Sequence, residues 1–203
     1  MRKLAVLGTF AVVAAGGGLL MAGRVTRAQQ QGAPSIPDSV AAVAIAAGDT
    51  AALEGPRQPI FFRHDIHAGQ DNIHCQNCHY TVSVSSEPGI PSVQTCMGCH
   101  AAIAGTDSSA RREIRKLRTF WNNREQPDSG KLEWTRIHTL ARHVRFPHML
   151  HVKSMGPKAC GTCHGDVARM PQVFEANNVN NMGFCISCHL QRNVPRDCSV
   201  CHY

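Results

Sequence analysis

"FPHMLHVKSMGPKACGTCHG", residues 146–165, combines two histidines three positions apart with a Cys-x-x-Cys-His segment. In such a segment the two thiols form thioether bonds to a c-type haem, and the adjacent histidine ligates the haem iron. The segment 160–164 has all three side chains. The iron keeps a sixth position on the opposite face of the porphyrin, so His148 and His151 are candidates for its second ligand.

All ten cysteines of the chain belong to five copies of this pattern. Structural zinc sites also use Cys-x-x-Cys pairs, but they require no histidine after each second cysteine, and a disulfide framework leaves the five histidines unexplained. We therefore expect five haem c groups. Their attachment cysteines are Cys75, Cys78, Cys96, Cys99, Cys160, Cys163, Cys185, Cys188, Cys198 and Cys201. Their proximal iron ligands are His79, His100, His164, His189 and His202.

An internal repeat supplies four candidates for the sixth iron ligands. Residues 61–79 and 145–164 both contain Phe-x-His-x-x-His before a Cys-x-x-Cys-His segment. Side chains three positions apart on a helix leave one face in slightly different directions, so the two histidines of a repeat can ligate irons of two adjacent haems. The repeated histidines are His64, His67, His148 and His151.

Five irons need five ligands at their sixth positions if every haem has two protein ligands. The repeats supply four, so one more is needed. We expect His138, with His143 as its alternative. Met182 is a further alternative, because a thioether ligand would raise the reduction potential of its haem above that of neighbours with two histidines. His74 directly precedes an attachment cysteine, and we expect it to contact solvent or a haem propionate.

Five haems in a chain of 203 residues leave little room for an ordinary hydrophobic core, because haem surfaces would supply much of the buried apolar area. We expect a multihaem cytochrome c fold that is loop-rich, with short α-helices and almost no sheet, plus one N-terminal transmembrane helix. The expected organisation is a signal anchor at 1–28, a periplasmic linker at 29–59, a dihaem module at 60–104, a helical connector at 105–137 and a trihaem module at 138–203. Within the connector, the pattern predicts a helix from about Ser109 to Trp121.

The N-terminus predicts export and membrane attachment. Arg2 and Lys3 precede twenty uncharged, mostly apolar or small residues from Leu4 to Gly23. This stretch is close to the roughly 20 residues that span a bilayer as a helix, and longer than a typical signal-peptide core. A cleaved signal peptide is the alternative interpretation. We expect a single-pass protein of the bacterial cytoplasmic membrane, with the haem domain on the periplasmic side, where c-type haem attachment takes place.

The formal net charge of +7 does not indicate a nucleic-acid partner. Five haems would add about ten propionate carboxylates, which offset the charge of the protein. The basic run at 110–118 is expected to be a solvated helix face or a set of propionate partners. We therefore expect no nucleic-acid binding.

Motif order and spacing carry a resemblance to a known family. Residues 133–189 contain "EWTRIH", then Phe-x-His-x-x-His, "CGTCHG" and "MGFC", and residues 64–100 contain "HDIH" followed by two attachment segments. Together, residues 60–203 resemble the pentahaem cytochrome c subunit of alternative complex III, often called ActA, within the cytochrome c3/c7-like multihaem family. The family usually has Trp where Phe184 stands, and Leu-Pro-Asp where residues 140–142 read "LAR".

The resemblance implies a function and a ligand pattern. The subunit would transfer electrons within a respiratory or photosynthetic quinol:acceptor oxidoreductase, from iron-sulfur clusters of a partner subunit to a periplasmic monohaem cytochrome or copper protein, beside polytopic membrane subunits. It would have no catalytic residues of its own. The first histidine of each repeat would serve the next haem, which pairs His64 with His79 and His148 with His164.

Two other functions remain open from the sequence. One is a stand-alone, membrane-anchored quinol dehydrogenase cytochrome that feeds a periplasmic reductase. The other is a multihaem reductase with one open haem. Such reductases often replace a proximal histidine, whereas every attachment segment here ends in histidine.

Overall fold

A computed structural model of the protein describes residues 38–47, 49–127 and 130–203. The predicted signal anchor at 1–28 lies outside these ranges. Within them, no helix has the length and apolar character needed to cross a membrane.

Short helices joined by loops form the described part of the chain. The α-helices are α1 (Asp38–Ala47), α2 (Cys75–Cys78), α3 (Val93–His100), α4 (Ser108–Asn122), α5 (His148–Met155), α6 (Ala159–His164), α7 (Met182–Gln191) and α8 (Cys198–Cys201). A π-helix spans Asp65–Gln70, and 3-10 helices span Thr50–Ala52, Tyr80–Ser83, Gly156–Lys158 and Val167–Arg169. The β-pairing in these ranges is one antiparallel bridge, between Val144 and His202. The expected loop-rich fold with short helices and almost no sheet is confirmed.

The connector helix α4 begins at a side-chain cap. The carboxylate of Asp107 accepts a hydrogen bond from the backbone N–H of Ala110 at 2.9 Å, which satisfies a donor that the first turn leaves unpaired. Ile114 and Leu117 form the buried face, while the opposite face carries exposed charged side chains. The helix predicted from about Ser109 to Trp121 is therefore confirmed, with bounds one residue wider at each end.

Two contacts connect α4 to the first repeat and to the second attachment segment. The buried carboxylate of Glu113 accepts hydrogen bonds from the backbone N–H of Phe61 and from Lys116 Nζ, both at 2.9 Å. The guanidinium of Arg118 donates to the carbonyl of His100 at 3.2 Å. The helix thereby joins the start of the first repeat to the second attachment segment.

The two repeats pack reciprocally. The backbone N–H of Asp65 donates to the carbonyl of Met170 at 3.2 Å, and the N–H of Met149 donates to the carbonyl of Ser85 at 3.1 Å. Each accepting residue is the sixth after the histidine of an attachment segment, the third segment for Met170 and the first for Ser85. The start of each repeat therefore lies against the chain that follows the attachment segment of the other.

The apolar core formed by protein atoms is small. No larger side chain among the described residues is completely enclosed, and many apolar side chains remain exposed, among them Val84 at 71%, Leu150 at 53% and Leu190 at 54%. The buried apolar residues, each at most 9% exposed, are Ala44, Leu53, Ile60, Val82, Ile114, Leu117, Ala159 and Met170. A fold of this kind needs further apolar surface to bury, which is what haem groups would supply.

Candidate functional site

Every Cys-x-x-Cys-His segment lies on a helical turn. The segments coincide with α2 and α8, end α3 and α6, and lie inside α7. Residues three apart share one face of a helix, so this local structure presents the two thiols of each segment together. All ten cysteines are free thiols.

Thiols of different segments are near enough to affect one another's pKa values. Burial raises the pKa of Cys160, and the neighbouring Cys75 thiol raises it further. Burial likewise raises the pKa of Cys163, with Cys188 as the next cause. Thiols with raised pKa values stay protonated at neutral pH, whereas a cysteine metal site requires thiolates.

The outer segments continue the same pattern. Burial raises the pKa of Cys78, and Cys99 adds to the effect. Burial also raises the pKa of Cys185, followed by the effect of Cys201. Each attachment segment therefore has a thiol of another segment as a close neighbour.

Three of the histidines that follow the cysteines are held by the same kind of hydrogen bond. The pairs are His79 Nδ1 with Gly89 O at 3.0 Å, His100 Nδ1 with Ile103 O at 3.1 Å, and His189 Nδ1 with Pro195 O at 2.5 Å. A carbonyl oxygen only accepts, so Nδ1 carries the proton and the lone pair remains on Nε2. This orientation and tautomer are typical of metal-ligating histidines.

Three histidines of the repeats have the same arrangement. The pairs are His67 Nδ1 with Arg63 O at 2.8 Å, His148 Nδ1 with Ser86 O at 2.8 Å, and His151 Nδ1 with Pro147 O at 3.0 Å. For the second histidine of each repeat, His67 and His151, the carbonyl that accepts the hydrogen bond lies four residues earlier in the chain. Sequence reasoning did not identify these carbonyl partners, although the four-residue spacing is the signal that could have indicated them.

The phenylalanine of each repeat orients both of its histidines. Phe146 stacks on His151, with ring centroids 4.2 Å apart, and meets His148 edge-on at 4.8 Å. Phe62 makes the same two contacts in the first repeat, with the stacked ring at 4.4 Å and the edge-on ring at 4.7 Å. The Phe-x-His-x-x-His pattern is therefore a structural unit that holds two imidazoles at fixed directions.

Two pairs of imidazoles are separated by the space that one iron requires. The ring centroids of His67 and His100 are 5.9 Å apart, and those of His151 and His189 are 6.2 Å apart. A bond between a metal and an imidazole nitrogen is about 2 Å long, so two rings on opposite sides of one metal have centroids roughly 6 Å apart. These two pairs fit one iron each.

His143 and His138 lie against different proximal histidines. The ring of His143 stacks on that of His202 at a centroid distance of 5.2 Å, and the ring of His138 meets that of His164 edge-on at 4.4 Å. The sequence treated the two residues as alternatives for one place, but the structure gives each its own partner. Nε2 of His138 is buried without a hydrogen-bond partner, as an atom reserved for a metal would be.

His79 and His164 lie near the first histidines of the two repeats, His64 and His148. The pKa of His64 is lowered to about 4, chiefly by burial and next by the neighbouring His79. Burial also lowers the pKa of His164 to about 4, with His138, His148 and His79 as further causes in that order. Both histidines are therefore neutral at pH 7, which is the form that ligates iron.

Two predicted residues stand apart from these pairs. His74 is exposed, and its Nδ1 accepts a hydrogen bond from the backbone N–H of Gln76 at 3.3 Å, which caps α2. Met182 is the first residue of α7, and 61% of it is exposed. Among the described residues, no group of three His, Cys, Asp or Glu side chains could hold a bare metal ion.

These residues fit haem c. Each attachment segment offers a pair of free thiols on one helical face and a histidine beside them. Each of those histidines also has a second histidine nearby. Together with the small apolar core, this donor set matches a prosthetic group that is bound covalently at its edge, ligated on both faces of its iron and buried against the chain.

Comparisons with known proteins agree with this assignment. The model of the Class III cytochrome C family matches residues 40–130, which include the first two attachment segments. A curated relative, the menaquinone reductase multiheme cytochrome c subunit of Nitratidesulfovibrio vulgaris, is 27% identical over 169 residues, covering 71% of this chain and 76% of the relative. The chain is thus related to multihaem c-type cytochromes, which carry covalently bound haem and transfer electrons.

Proposed function

We propose that this protein is the pentahaem electron-transfer subunit of a membrane-bound quinone oxidoreductase of the alternative complex III type. The observation that carries the proposal is the presence of a second histidine beside each of the five attachment histidines. An iron with two strong protein ligands has no position for a substrate, so the protein would conduct electrons and would not be an enzyme by itself.

Ring spacing near 6 Å supports two of the five proposed axial pairs, and proximity alone supports the other three. The proposed pairs are His64 with His79, His67 with His100, His138 with His164, His151 with His189, and His143 with His202. His148 is the remaining histidine of the repeats and lies close enough to His164 to affect its pKa. It is the alternative ligand at that position.

The haems would supply reversible one-electron oxidation and reduction of their irons, with potentials set by the axial ligands and their surroundings. The chain contributes the geometry that this function needs. Carbonyl oxygens hold the protons on Nδ1 of five of the proposed ligands, so that Nε2 stays available; these are His67, His79, His100, His151 and His189. The phenylalanines of the repeats limit rotation of the imidazoles.

The partners and location follow from the sequence and its resemblance. We propose a signal anchor at 1–28 in the cytoplasmic membrane, with the haem domain on the periplasmic side. Iron-sulfur and polytopic membrane subunits would accompany the protein, and a periplasmic monohaem cytochrome or copper protein would accept the electrons. Electron flow would run from quinol toward that acceptor.

The curated relative supports a second candidate, in which electrons flow in the opposite direction. That protein is described as a subunit of a menaquinone reductase. A complex of this kind containing the present chain would deliver electrons from a periplasmic donor to quinone. The protein itself would have the same ligand set and the same conducting role.

The test combines purification and spectroscopy. The native protein is isolated from membranes in mild detergent, its co-purifying subunits are identified, and low-temperature EPR is recorded in the oxidised state. We expect only low-spin ferric signals, together with iron-sulfur and polytopic subunits. Isolation without those subunits would favour a stand-alone quinol dehydrogenase cytochrome. A large high-spin signal that changes with nitrite would contradict the conducting role and indicate a multihaem reductase.

The two directions are separated by a further assay of the purified complex. Quinol with an oxidised periplasmic cytochrome tests one direction, and a reduced periplasmic donor with menaquinone analogue tests the other. Faster turnover with quinol supports the alternative complex III type. Faster turnover with the reduced donor supports the menaquinone reductase type.

A further inference from the structure

We propose that the ring of His202 gives its haem a more positive reduction potential than the rings of His79, His100 and His189 give theirs. This inference rests on the proposed function in that each of these histidines ligates a haem iron through Nε2. It concerns the other ring nitrogen, Nδ1, and the partner that this atom has in each histidine.

Three attachment histidines share one arrangement at Nδ1. A backbone carbonyl accepts a hydrogen bond from Nδ1 of His79 at 3.0 Å, of His100 at 3.1 Å and of His189 at 2.5 Å. Such a hydrogen bond increases the basicity of the imidazole and makes Nε2 a stronger metal ligand. A stronger electron donor stabilises ferric iron more than ferrous iron, so the bond lowers the reduction potential of the haem.

Nδ1 of His202 is buried and has no hydrogen-bond partner among the described residues. Buried polar atoms without a partner are rare, and a redox role is one reason for which a protein retains one. An imidazole whose Nδ1–H has no acceptor donates less charge to a metal through Nε2. The site therefore favours ferrous iron at His202 more than at the other three histidines.

The chain packed against His202 holds its backbone and the plane of its ring. The N–H of Arg145 donates to the carbonyl of Cys201 at 2.7 Å, and Val144 forms an antiparallel bridge with His202. The ring stacks on that of His143, with a centroid distance of 5.2 Å and an angle of 24° between the planes. These contacts position the imidazole without bringing a carbonyl oxygen to Nδ1.

His100 offers a matched comparison, because a guanidinium meets both histidines in the same way. Arg118 donates to the carbonyl of His100 and Arg145 to the carbonyl of His202, each at 3.2 Å. A positive charge near an iron raises its reduction potential, but this contact is common to both sites. The two sites differ at Nδ1, which is bonded to the carbonyl of Ile103 in His100 and has no partner in His202.

The difference in potential determines where electrons reside. An electron shared among several haems spends most time on the haem with the most positive potential. Electrons supplied by quinol would therefore collect at His202 in preference to His79, His100 and His189. A partner that accepts electrons from the protein would draw them from that haem.

The test removes one haem at a time from the full-length holoprotein. Cys198→Ser with Cys201→Ser removes the attachment of the haem at His202, and Cys96→Ser with Cys99→Ser removes that at His100. Mass measures the haem content, and a redox titration followed by haem absorbance resolves the reduction steps of each protein. We expect the step lost from the first variant to be more positive than the step lost from the second. An equal or reversed ranking would overturn the inference.

Arg118→Gln and Arg145→Gln separate the effect of Nδ1 from that of charge. Each variant removes one guanidinium and should lower the potential of its own haem. We expect the haem at His202 to keep the more positive potential in the double variant, because neither substitution changes the partner of Nδ1. Loss of the ranking in the double variant would assign the difference to charge and overturn the inference.

NMR of the unmodified holoprotein covers the case in which a variant does not mature. The haem methyl signals are assigned to their attachment segments and followed through a redox titration, which ranks the four potentials directly. The haem at His202 must be the most positive of the four, and any other ranking overturns the inference. Haem mass and EPR of the same sample test the proposed function separately, since a protein that lacks its haems or their second ligands contradicts that proposal before any potential is ranked.

Discussion

The imidazole of His151 stacks on the ring of Phe146, with a centroid distance of 4.2 Å and an angle of 26° between the planes. The same aromatic ring meets His148 edge-on. One phenylalanine thus fixes two imidazoles that are directed at two different attachment segments. Phe146, which lies outside the attachment segments in the sequence, therefore influences the geometry of two proposed iron sites.

Phe146→Ala should loosen His151 and leave the chain folded. A core Phe→Ala change costs about 3–5 kcal/mol, and the half-buried position of Phe146 makes a smaller cost the expected result. We expect broadened low-spin EPR signals and a partial high-spin signal from the haem at His189. Phe146→Tyr retains the stacking ring and is the matched control. Unchanged EPR of the alanine variant would show that the aromatic contact does not position the histidine.

His67→Ala and His151→Ala should each convert one haem from low-spin to high-spin. The reason is that each removes the second histidine of a pair whose spacing suits one iron. EPR with spin quantification measures the change, and the attached haem count should stay the same. His74→Ala is the control, because His74 is exposed and caps α2. If every haem of the His151→Ala protein stays low-spin, His151 is not an iron ligand.

His138→Ala and His148→Ala identify the second ligand at His164. The His138 ring is 4.4 Å from that of His164, and its buried Nε2 has no hydrogen-bond partner, whereas His148 affects the pKa of His164 less than His138 does. We expect the larger high-spin signal from His138→Ala. The reverse result would assign His148, as the resemblance to c3-type cytochromes implies, and would leave His138 as a packing residue.

Asp107→Ala should destabilise α4 by about 1 kcal/mol, because the helix loses its N-terminal cap. The Ala110 N–H lowers the pKa of Asp107 below its ordinary value of 3.8. The carboxylate therefore stabilises the folded protein above that value, and this contribution disappears as the pH falls through the lower folded-state pKa. Denaturant unfolding of both proteins at pH 7 and near pH 3 measures the difference. Asp107→Asn retains a capping oxygen and should lose less stability than Asp107→Ala. An equal loss of stability in the two variants would argue against the cap.

Glu113→Ala should leave the N–H of Phe61 without its acceptor. Losing one partner of a part-buried hydrogen bond costs about 1–3 kcal/mol. Glu113→Gln keeps an oxygen at the same place and is expected to be milder. Thermal unfolding compares the two variants. Equal melting temperatures of Glu113→Ala and Glu113→Gln would contradict a positional role for this carboxylate.

The sequence was a good guide wherever chemistry requires particular residues at particular spacings. The attachment segments, the repeated histidines and the connector helix were visible as local patterns. The short helices and near absence of sheet were expected because five haems in 203 residues leave little room for an ordinary hydrophobic core. These predictions needed no knowledge of which distant parts of the chain meet.

Long-range pairing could not be predicted in the same way. His143 and His138 were indistinguishable in the sequence, because their separation depends on which attachment segment each one faces. The contacts of Met170 with Asp65 and of Ser85 with Met149 depend on the packing of distant chain segments against each other. The local spacing of residues contains no information about which distant segments pack together.

The small apolar core has a consequence for maturation in the cell. A chain without haem would bury little of its apolar surface and would remain open to proteases. Each attached haem adds apolar area around which the neighbouring loops can close. Haem supply would then determine how many chains survive, because only a chain that carries its haems buries enough apolar surface to resist proteolysis.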